Sequence, residues 1–340
     1  MTWFSEKEQY NCHLICRPDH VTKNLPNSIQ FHGSIQDFSI FKPWKNIAGR
    51  VKVRDLVYQY DIDIIHIFYA EPNALWVSSF PKYIPIILTT RGSDVLVGLK
   101  HFISRPGIKY KILKWSYQKA LNRINVITST SNLQSEFLMS NFNLTTNPEI
   151  IRTGIETSRI QPEKKSKKII FFPRNMKPIY DHELALQAIE MLPEEIKLNY
   201  EFVFVNKDSQ DQDYVHIIEE QMAVLHMDNI SFNDSLKQEA YFEILASAAL
   251  VVMTPKSDGS PVSGMEAIAA GAKLILPNLN YDSDLFDLAY FYQSGQASEL
   301  CQTIQNALKE TTKKITSDYQ LKVDRNLEMQ KIDHLYDTLF

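Results

Sequence analysis

"SDGSPVSGMEAIAAG", residues 257 to 271, sets two carboxylates, Asp258 and Glu266, eight positions apart around a Ser-Pro step and then runs into small residues ending in glycine. Ser260 before Pro261 reads as an N-cap followed by proline at the first helical position, where its missing N–H costs nothing, and Gly271 reads as the stop. The spacing predicts a helix from about 261 to 270. The preceding "ALVVMTP" (249–255) is apolar and β-branched, as a buried parallel strand is, so the unit is strand, loop, helix. α/β proteins bind ligands at the carboxyl end of such a strand, under a helix N-terminus whose free N–H groups and dipole favour an anion. Asp258 falls in the loop and Glu266 on the second helical turn. An ionised carboxylate only accepts hydrogen bonds, which suits the vicinal hydroxyls of a sugar, while the helix start suits phosphate. The combination fits a sugar nucleotide. The same residues also suit a plain capped helix, and the rest of the chain decides between the two.

Outward from this stretch the pattern repeats. The runs "CHLIC" (12–16), "IDIIHIF" (62–68), "IPIILTT" (84–90) and "INVITS" (124–129) read as strands separated by longer helical stretches. After the charged segment "TSRIQPEKKSKK" (157–168) the alternation restarts with "IIFFP" (169–173), "YEFVFV" (200–205), "ISF" (230–232), "ALVVM" (249–253) and "KLIL" (273–276). This is βαβα twice over with a linker between, hence an α/β chain of two Rossmann-like parallel-sheet domains. The expected boundaries are a first domain over 1–156, a linker over 157–168, a second domain over 169–325, and a terminal helix over 326–340. In that last segment Leu327, Ile332, Leu335, Tyr336 and Leu339 make an amphipathic pattern suited to packing back on the first domain.

The chain has 340 residues, enough for two cores, with 44% apolar and 22% charged residues, ordinary for a folded globular protein. Cys12, Cys16 and Cys301 form neither a CxxC pair nor an even set, which points to a reducing compartment. The start "MTWFSEKEQY" lacks the basic and apolar regions of a signal peptide, and no run of eighteen or more apolar residues occurs. A cytoplasmic location is expected. The net charge of −4 divides unevenly: residues 1–165 carry +8 and the remainder −12. A basic half joined to an acidic half suits a two-domain protein with one side facing an anionic partner.

With both halves laid out, the sequence resembles the retaining glycosyltransferases of the GT-B fold, of the family 4 (group 1) type. "IIRTGIETSRIQP" (150–162) resembles that family's interdomain turn, "VITSTSNLQSEFL" (126–138) its strand-Ser-helix element, and "FFPRNMKP" (171–178) the start of its second domain. "SDGSPVSGMEAIAAG" is similar to its E-x7-E loop with Asp at the first position. The four stand in the family's order. The resemblance implies two domains facing a cleft and transfer of a hexosyl group, with retention, from a nucleotide sugar, UDP-linked by expectation. The acceptor would be a saccharide or lipid-linked hydroxyl in envelope polysaccharide or glycan synthesis. It implies that Glu266 accepts from the ribose and Asp258 from the transferred hexose. Gly259, Ser260, Pro261, Val262 and Ser263 would lie along the donor, with Arg174 and Lys177 neutralising the leaving diphosphate. On the acceptor side it implies His66, Arg91 and Asp94. Neither metal nor cofactor is expected, the nucleotide sugar being a substrate.

Three departures stand out. Ile179 occupies the position of the family's usual Lys, "RGSD" (91–94) carries Arg91 where His is usual, and the first strand with its Gly-rich loop is missing, since "MTWFSEKEQY" reads as a helix. A sugar-nucleotide epimerase on the same fold, or an inactive sugar-nucleotide or glycan-binding partner of another transferase, are the competing readings. Asp61/Asp63, Asp211/Asp213 and Asp282/Asp284 form Asp-x-Asp triplets that could hold Mg, but without a positioned phosphate they read as solvated loops. Finally, between Asp94 and Glu136 no acidic residue occurs, and residues 100–123 carry seven cations among Phe102, Tyr110, Trp115 and Tyr117. From Ile108 the pattern suits an amphipathic helix, expected to dock on an anionic membrane surface; it is equally the pattern of a solvated basic face. Nucleic acid is not expected as a partner, given the acidic second half.

Overall fold

The computed structural model describes residues 2–18, 25–160, 167–205, 211–233, 236–310 and 317–339. The chain divides into two compact units, Met1–Ile151 with Met329–Phe340, and Arg152–Glu328.

The second unit contains six strands: β7 (Lys167–Phe172), β8 (Glu201–Val205), β9 (Ile230–Asn233), β10 (Ala248–Val252), β11 (Lys273–Pro277) and β12 (Tyr290–Tyr292). They form one parallel sheet in the order β12-β11-β10-β7-β8-β9. Successive residues of a strand face opposite sides, and both sides are covered here. Phe171, Val203 and Val251 pack in one buried cluster, and Ile170, Phe172, Phe202, Phe204 and Val252 in another. That is why these strands read as unbroken apolar runs. The chain leaves β7 toward β8 and β9, then returns to β10 on the other side. The switch point therefore lies between β7 and β10, where a crevice opens at the strands' carboxyl ends.

In the first unit the strands are β1 (Cys12–Cys16), β2 (Ile29–Ser34), β3 (Ile65–Phe68), β4 (Ile86–Thr90), β5 (Val126–Ser129) and β6 (Glu149–Ile150). β3 to β6 form a parallel four-stranded sheet in chain order, and β1 pairs in parallel with β2 in a separate sheet. A short helix, Thr2–Ser5, precedes β1. The helix Arg325–Leu339 ends the described chain, and its Ile332 and Leu335 are buried with Phe4, Ile87 and Ile151.

Some expectations differ from this architecture. β2, β6 and β12 have no counterpart among the predicted strands: β6 has two residues and β12 three, too few for any periodicity, and β2 carries polar Gln30, His32 and Ser34. β7 begins at Lys167, inside the expected linker, because a strand end can be charged when the next four residues are buried. Residues 161–166 of that linker lie outside the described residues. The units divide at 151/152 and not at 156, because Arg152 bonds Asp282 and Asp284, and the Ile155 N–H donates to the Val323 carbonyl. Leu327, expected on the buried stripe of the last helix, is 38% exposed.

Candidate active site

Two loops leave the sheet at the switch point. One follows β7 and carries Arg174; the other follows β10 and carries Asp258. Arg174 Nη2 lies 3.3 Å from Asp258 Oδ2, and both side chains are mostly buried. The guanidinium also stacks on Tyr180, 4.0 Å from the ring centroid. Behind it, His182 Nε2 is 3.1 Å from the Arg174 carbonyl, which makes Nε2 the donor. Burial drives the His182 pKa down to about 4, so the ring is neutral. The two loops are tied together: Thr254 Oγ1 donates to the Tyr180 carbonyl at 2.6 Å, and the Lys256 N–H to the Ile179 carbonyl at 2.8 Å. Lys256 Nζ also pairs with Asp181 at 3.3 Å. Arg174 is thus held by its backbone, its stacking partner and its counter-ion.

The helix beyond the loop spans Val262–Ala269. Pro261 occupies the N-cap with an extended backbone, not the first helical position as expected, and its carbonyl accepts from the Gly264 and Met265 N–H groups at 3.0 and 3.1 Å. A proline carbonyl can start a helix as well as a serine one; only the side-chain cap is lost. The N–H groups of Val262 and Ser263 precede the first intrahelical bonds. Small residues let this helix sit close to the sheet: a Cβ on Gly264 would come 3.0 Å from Phe286 and 3.3 Å from Leu274.

Burial raises the Asp258 pKa, against the opposing pull of Arg174 and the N–H groups of Ser260 and Gly259. Burial likewise raises that of Glu266, opposed first by the Tyr241 hydroxyl and then by Arg325 and Arg174. Tyr241 Oη donates to Glu266 Oε2 at 3.0 Å, and burial beside this carboxylate holds the phenol protonated. Tyr241 was not among the residues predicted from sequence; nothing in "YFEIL" marks it. Tyr281 was not either. Its buried hydroxyl has no partner among the described residues, and the charges of Asp258 and Arg174 both act on it. Lys177 lines a cavity of 510 Å³ with Pro178, Ile179, Asp211, Gln212 and Asp213.

In the first unit, Arg91 and Asp94 follow the carboxyl end of β4, and His66 lies within the neighbouring strand β3, opposite Ile87. His66 bonds Tyr336 Oη through Nδ1 at 2.6 Å and Thr89 Oγ1 through Nε2 at 2.7 Å, and burial takes its pKa down to about 3. Phe68 lies between the His66 ring, stacked at 4.3 Å, and the Arg91 guanidinium at 5.5 Å. Asp94 is buried and accepts from the Ala70 N–H at 2.6 Å and the Arg91 N–H at 2.9 Å, so it shapes the loop that carries Arg91.

The Asp-x-Asp triplets do not all sit in solvated loops. Asp282 is 3% exposed and shares Arg152 Nη2 with Asp284, at 3.3 and 3.1 Å. The sequence hides this because its cation lies 130 residues away. Asp211 caps the helix Gln212–Val224 by accepting from the Tyr214 N–H. Among the described residues no three His, Cys, Asp or Glu side chains converge as metal ligands do, and no helix is long and apolar enough to cross a membrane. The basic stretch does form a helix, Ile108–Arg123, with Tyr117 and Leu121 buried and Lys111 and Lys114 exposed.

Two parallel α/β units, the second with an Arg and two carboxylates at its switch point, match the GT-B class of fold. The family described as "Glycosyl transferase 4-like" matches residues 3–131, and "Glycosyl transferases group 1" matches residues 155–316. The chain belongs to the group 1 glycosyltransferases of the GT-B fold, and its activity is glycosyl transfer. No curated protein matches the sequence. Among solved structures, a glycosyltransferase from Rickettsia africae is similar at 14% identity, covering 92% of this chain and 85% of that one, with a TM-score of 0.69. HepE from Anabaena, in complex with UDP and glucose, is similar at 14% identity over 92% of this chain and 87% of its own, with a TM-score of 0.67. Sucrose-phosphate synthase from Thermosynechococcus elongatus is similar at 12% identity over 98% and 90%, with a TM-score of 0.73. At these identities the likeness is one of fold.

Proposed function

We propose that this enzyme moves a hexosyl group from a UDP-linked sugar to a hydroxyl of a saccharide or lipid-linked acceptor, with retention and without a metal ion, in envelope polysaccharide or glycan synthesis. The observation that carries the reading is the placement of Arg174, Asp258 and Glu266 at one switch point, beside a helix N-terminus. The second unit binds the donor. Glu266, with Oε2 held by Tyr241, presents its other oxygen to the ribose hydroxyls. The N–H groups at the start of the 262–269 helix and the Arg174 guanidinium take the diphosphate, so negative charge developing on the leaving group meets fixed positive charge. Asp258 holds Arg174 in place until the donor arrives and then accepts from a hexose hydroxyl. The presence of UDP and glucose in the HepE structure supports the choice of nucleotide.

The acceptor is bound by the first unit, with Arg91 and Asp94 just beyond β4 and His66 within β3. His66 is neutral and engaged at both nitrogens, so it orients Phe68 and Arg91 and is not a proton carrier. The protein works at the cytoplasmic face of the membrane, docked through residues 100–123. A thermal-shift panel of UDP, GDP and ADP sugars tests the donor, because ligand bound to the native state raises stability by RT ln(1 + [L]/Kd). A UDP sugar that raises the melting temperature and is then hydrolysed or transferred supports the reading; binding without turnover would favour an inactive partner, and no shift with any of them removes the donor site.

A further inference from the structure

Tyr281 stands in the loop that follows β11, and β11 pairs in parallel with β10 on the side away from β7. This loop therefore opens at the same carboxyl ends as the one that carries Asp258. Its backbone is tied down: the Asn278 N–H donates to the Tyr292 carbonyl at 2.7 Å, and the Tyr281 N–H to the Leu279 carbonyl at 3.0 Å. The ring is held as well. Its centroid lies 5.4 Å from that of Phe286, the side chain that a Cβ on Gly264 would meet, and Tyr281 and Val262 pack against one buried cluster. The phenol thus sits beside the first turn of the 262–269 helix. Of the charged side chains, Asp258 acts on its hydroxyl most strongly and Arg174 opposes it; burial first, and then Asp258, keep the hydroxyl protonated.

That hydroxyl is buried and has no hydrogen-bond partner among the described residues. A buried hydroxyl left unsatisfied is unfavourable in the folded chain, and phenylalanine would keep the ring contacts without it. The hydroxyl is therefore placed for something that the empty site does not contain. An O–H that both donates and accepts suits one hydroxyl of a sugar, as the acceptor-only Asp258 suits another. Glu266 is assigned to the ribose, and Arg174 with the helix N–H groups to the diphosphate, so the part of the donor left for Tyr281 is its hexose. We propose that Tyr281 hydrogen-bonds a hydroxyl of the donor's hexose, next to the one taken by Asp258, and so helps to select the sugar that is transferred. The proposal rests on the donor reading above and adds to it a specificity residue on a third loop.

The test compares the parent with Tyr281→Phe, full chain in each case, by melting without ligand and by calorimetric titration. The ligands are UDP, UDP-glucose, UDP-galactose and UDP-N-acetylglucosamine. Without ligand the variant should melt at the parent's temperature or above it, because an unsatisfied hydroxyl is gone and the ring contacts remain. UDP should bind as before. The UDP sugar that the parent binds most tightly should bind about twofold to tenfold more weakly, and the parent's preference among the three sugars should narrow. The deciding quantity is the ratio of UDP-sugar affinity to UDP affinity. A ratio equal to the parent's, with UDP itself unaffected, would leave the hydroxyl without a role in the donor site and overturn the proposal. Equal losses for UDP and the UDP sugar would put the contact on the diphosphate and overturn the hexose assignment. A melting temperature well below the parent's would show that the hydroxyl already serves the fold, against the premise. A parent that binds neither UDP nor any of the sugars removes the donor reading, and this proposal with it; a parent that binds them and a variant that behaves identically remove the proposal alone.

Discussion

Replacing Glu266 by alanine is expected to weaken UDP binding about tenfold to hundredfold. The structure sets the size of the effect. One carboxylate oxygen is taken by the Tyr241 hydroxyl at 3.0 Å, which leaves the other as the acceptor for a ribose hydroxyl. A hydrogen bond to a charged group contributes on the order of 1.5 to 3 kcal/mol, and each 1.4 kcal/mol is a factor of ten in Kd. Tyr241→Phe should have a smaller effect, about twofold to tenfold, because it removes one neutral donor, worth ~0.5 to 1.5 kcal/mol, and leaves the carboxylate less firmly oriented. Asp258→Ala should cost less UDP affinity than Glu266→Ala, since losing Asp258 also releases Arg174 to the diphosphate. Burial raises the Glu266 pKa, so UDP affinity should fall with acidification at a pH above the ordinary carboxylate range, and Glu266→Gln should lose that dependence. The assay is calorimetric titration with UDP on variants whose circular dichroism and melting temperature match the parent. A folded Glu266→Ala protein that binds UDP like the parent, or an Asp258→Ala protein that loses more, would refute the assignment of the ribose to Glu266.

The remaining expectations concern stability, metal and surface. His66 has its pKa lowered to about 3, so between that value and the unfolded value near 6.5 the folded state binds fewer protons; its contribution to stability is present above about pH 6.5 and fades as pH falls through the window. The difference in urea midpoint between parent and His66→Gln should therefore shrink on acidification, and a difference that grows would contradict the sign. Gly154 has φ +64°, and a Cβ there would lie 2.6 Å from the Arg325 backbone, so Gly154→Ala should lower stability by more than about 1 kcal/mol in denaturant titration; an unchanged midpoint would show that the chain at 154 can move. Transfer should proceed in excess EDTA, because fixed positive charge at Arg174 and a helix start is assigned the work a divalent ion would do; activity lost to EDTA and restored by Mg would reverse that. Lys109, Lys111 and Lys114 changed together to Glu should abolish sedimentation with anionic vesicles, and binding equal to the parent's would leave the helix a solvated basic face.

The sequence by itself determined the α/β class, the division into two parallel-sheet halves and the strand-loop-helix that carries Asp258 and Glu266. These are local properties: buried parallel strands are apolar on both faces, and turn and cap residues punctuate them wherever they fall. "ALVVM" and "IIFFP" became β10 and β7 because a run of that length and composition has little other use.

Only the tertiary structure decided which side chains meet. Arg174 and Asp258 are 84 residues apart and come together because β7 and β10 are neighbours, a pairing that strand patterns do not specify. Tyr241 reaches Glu266, and Tyr281 comes under the influence of Asp258, from elements with no motif of their own. Lys177, three residues from Arg174, lines a cavity with Asp211 and Asp213, which lie 34 and 36 residues further on. His66 owes its low pKa to burial and then to the charge of Arg91, and its fixed ring in part to Tyr336, a partner 270 residues away on the last helix. Burial, counter-ion and hydrogen-bond partner are properties of three-dimensional neighbours, and the backbone pattern of one segment carries no record of them.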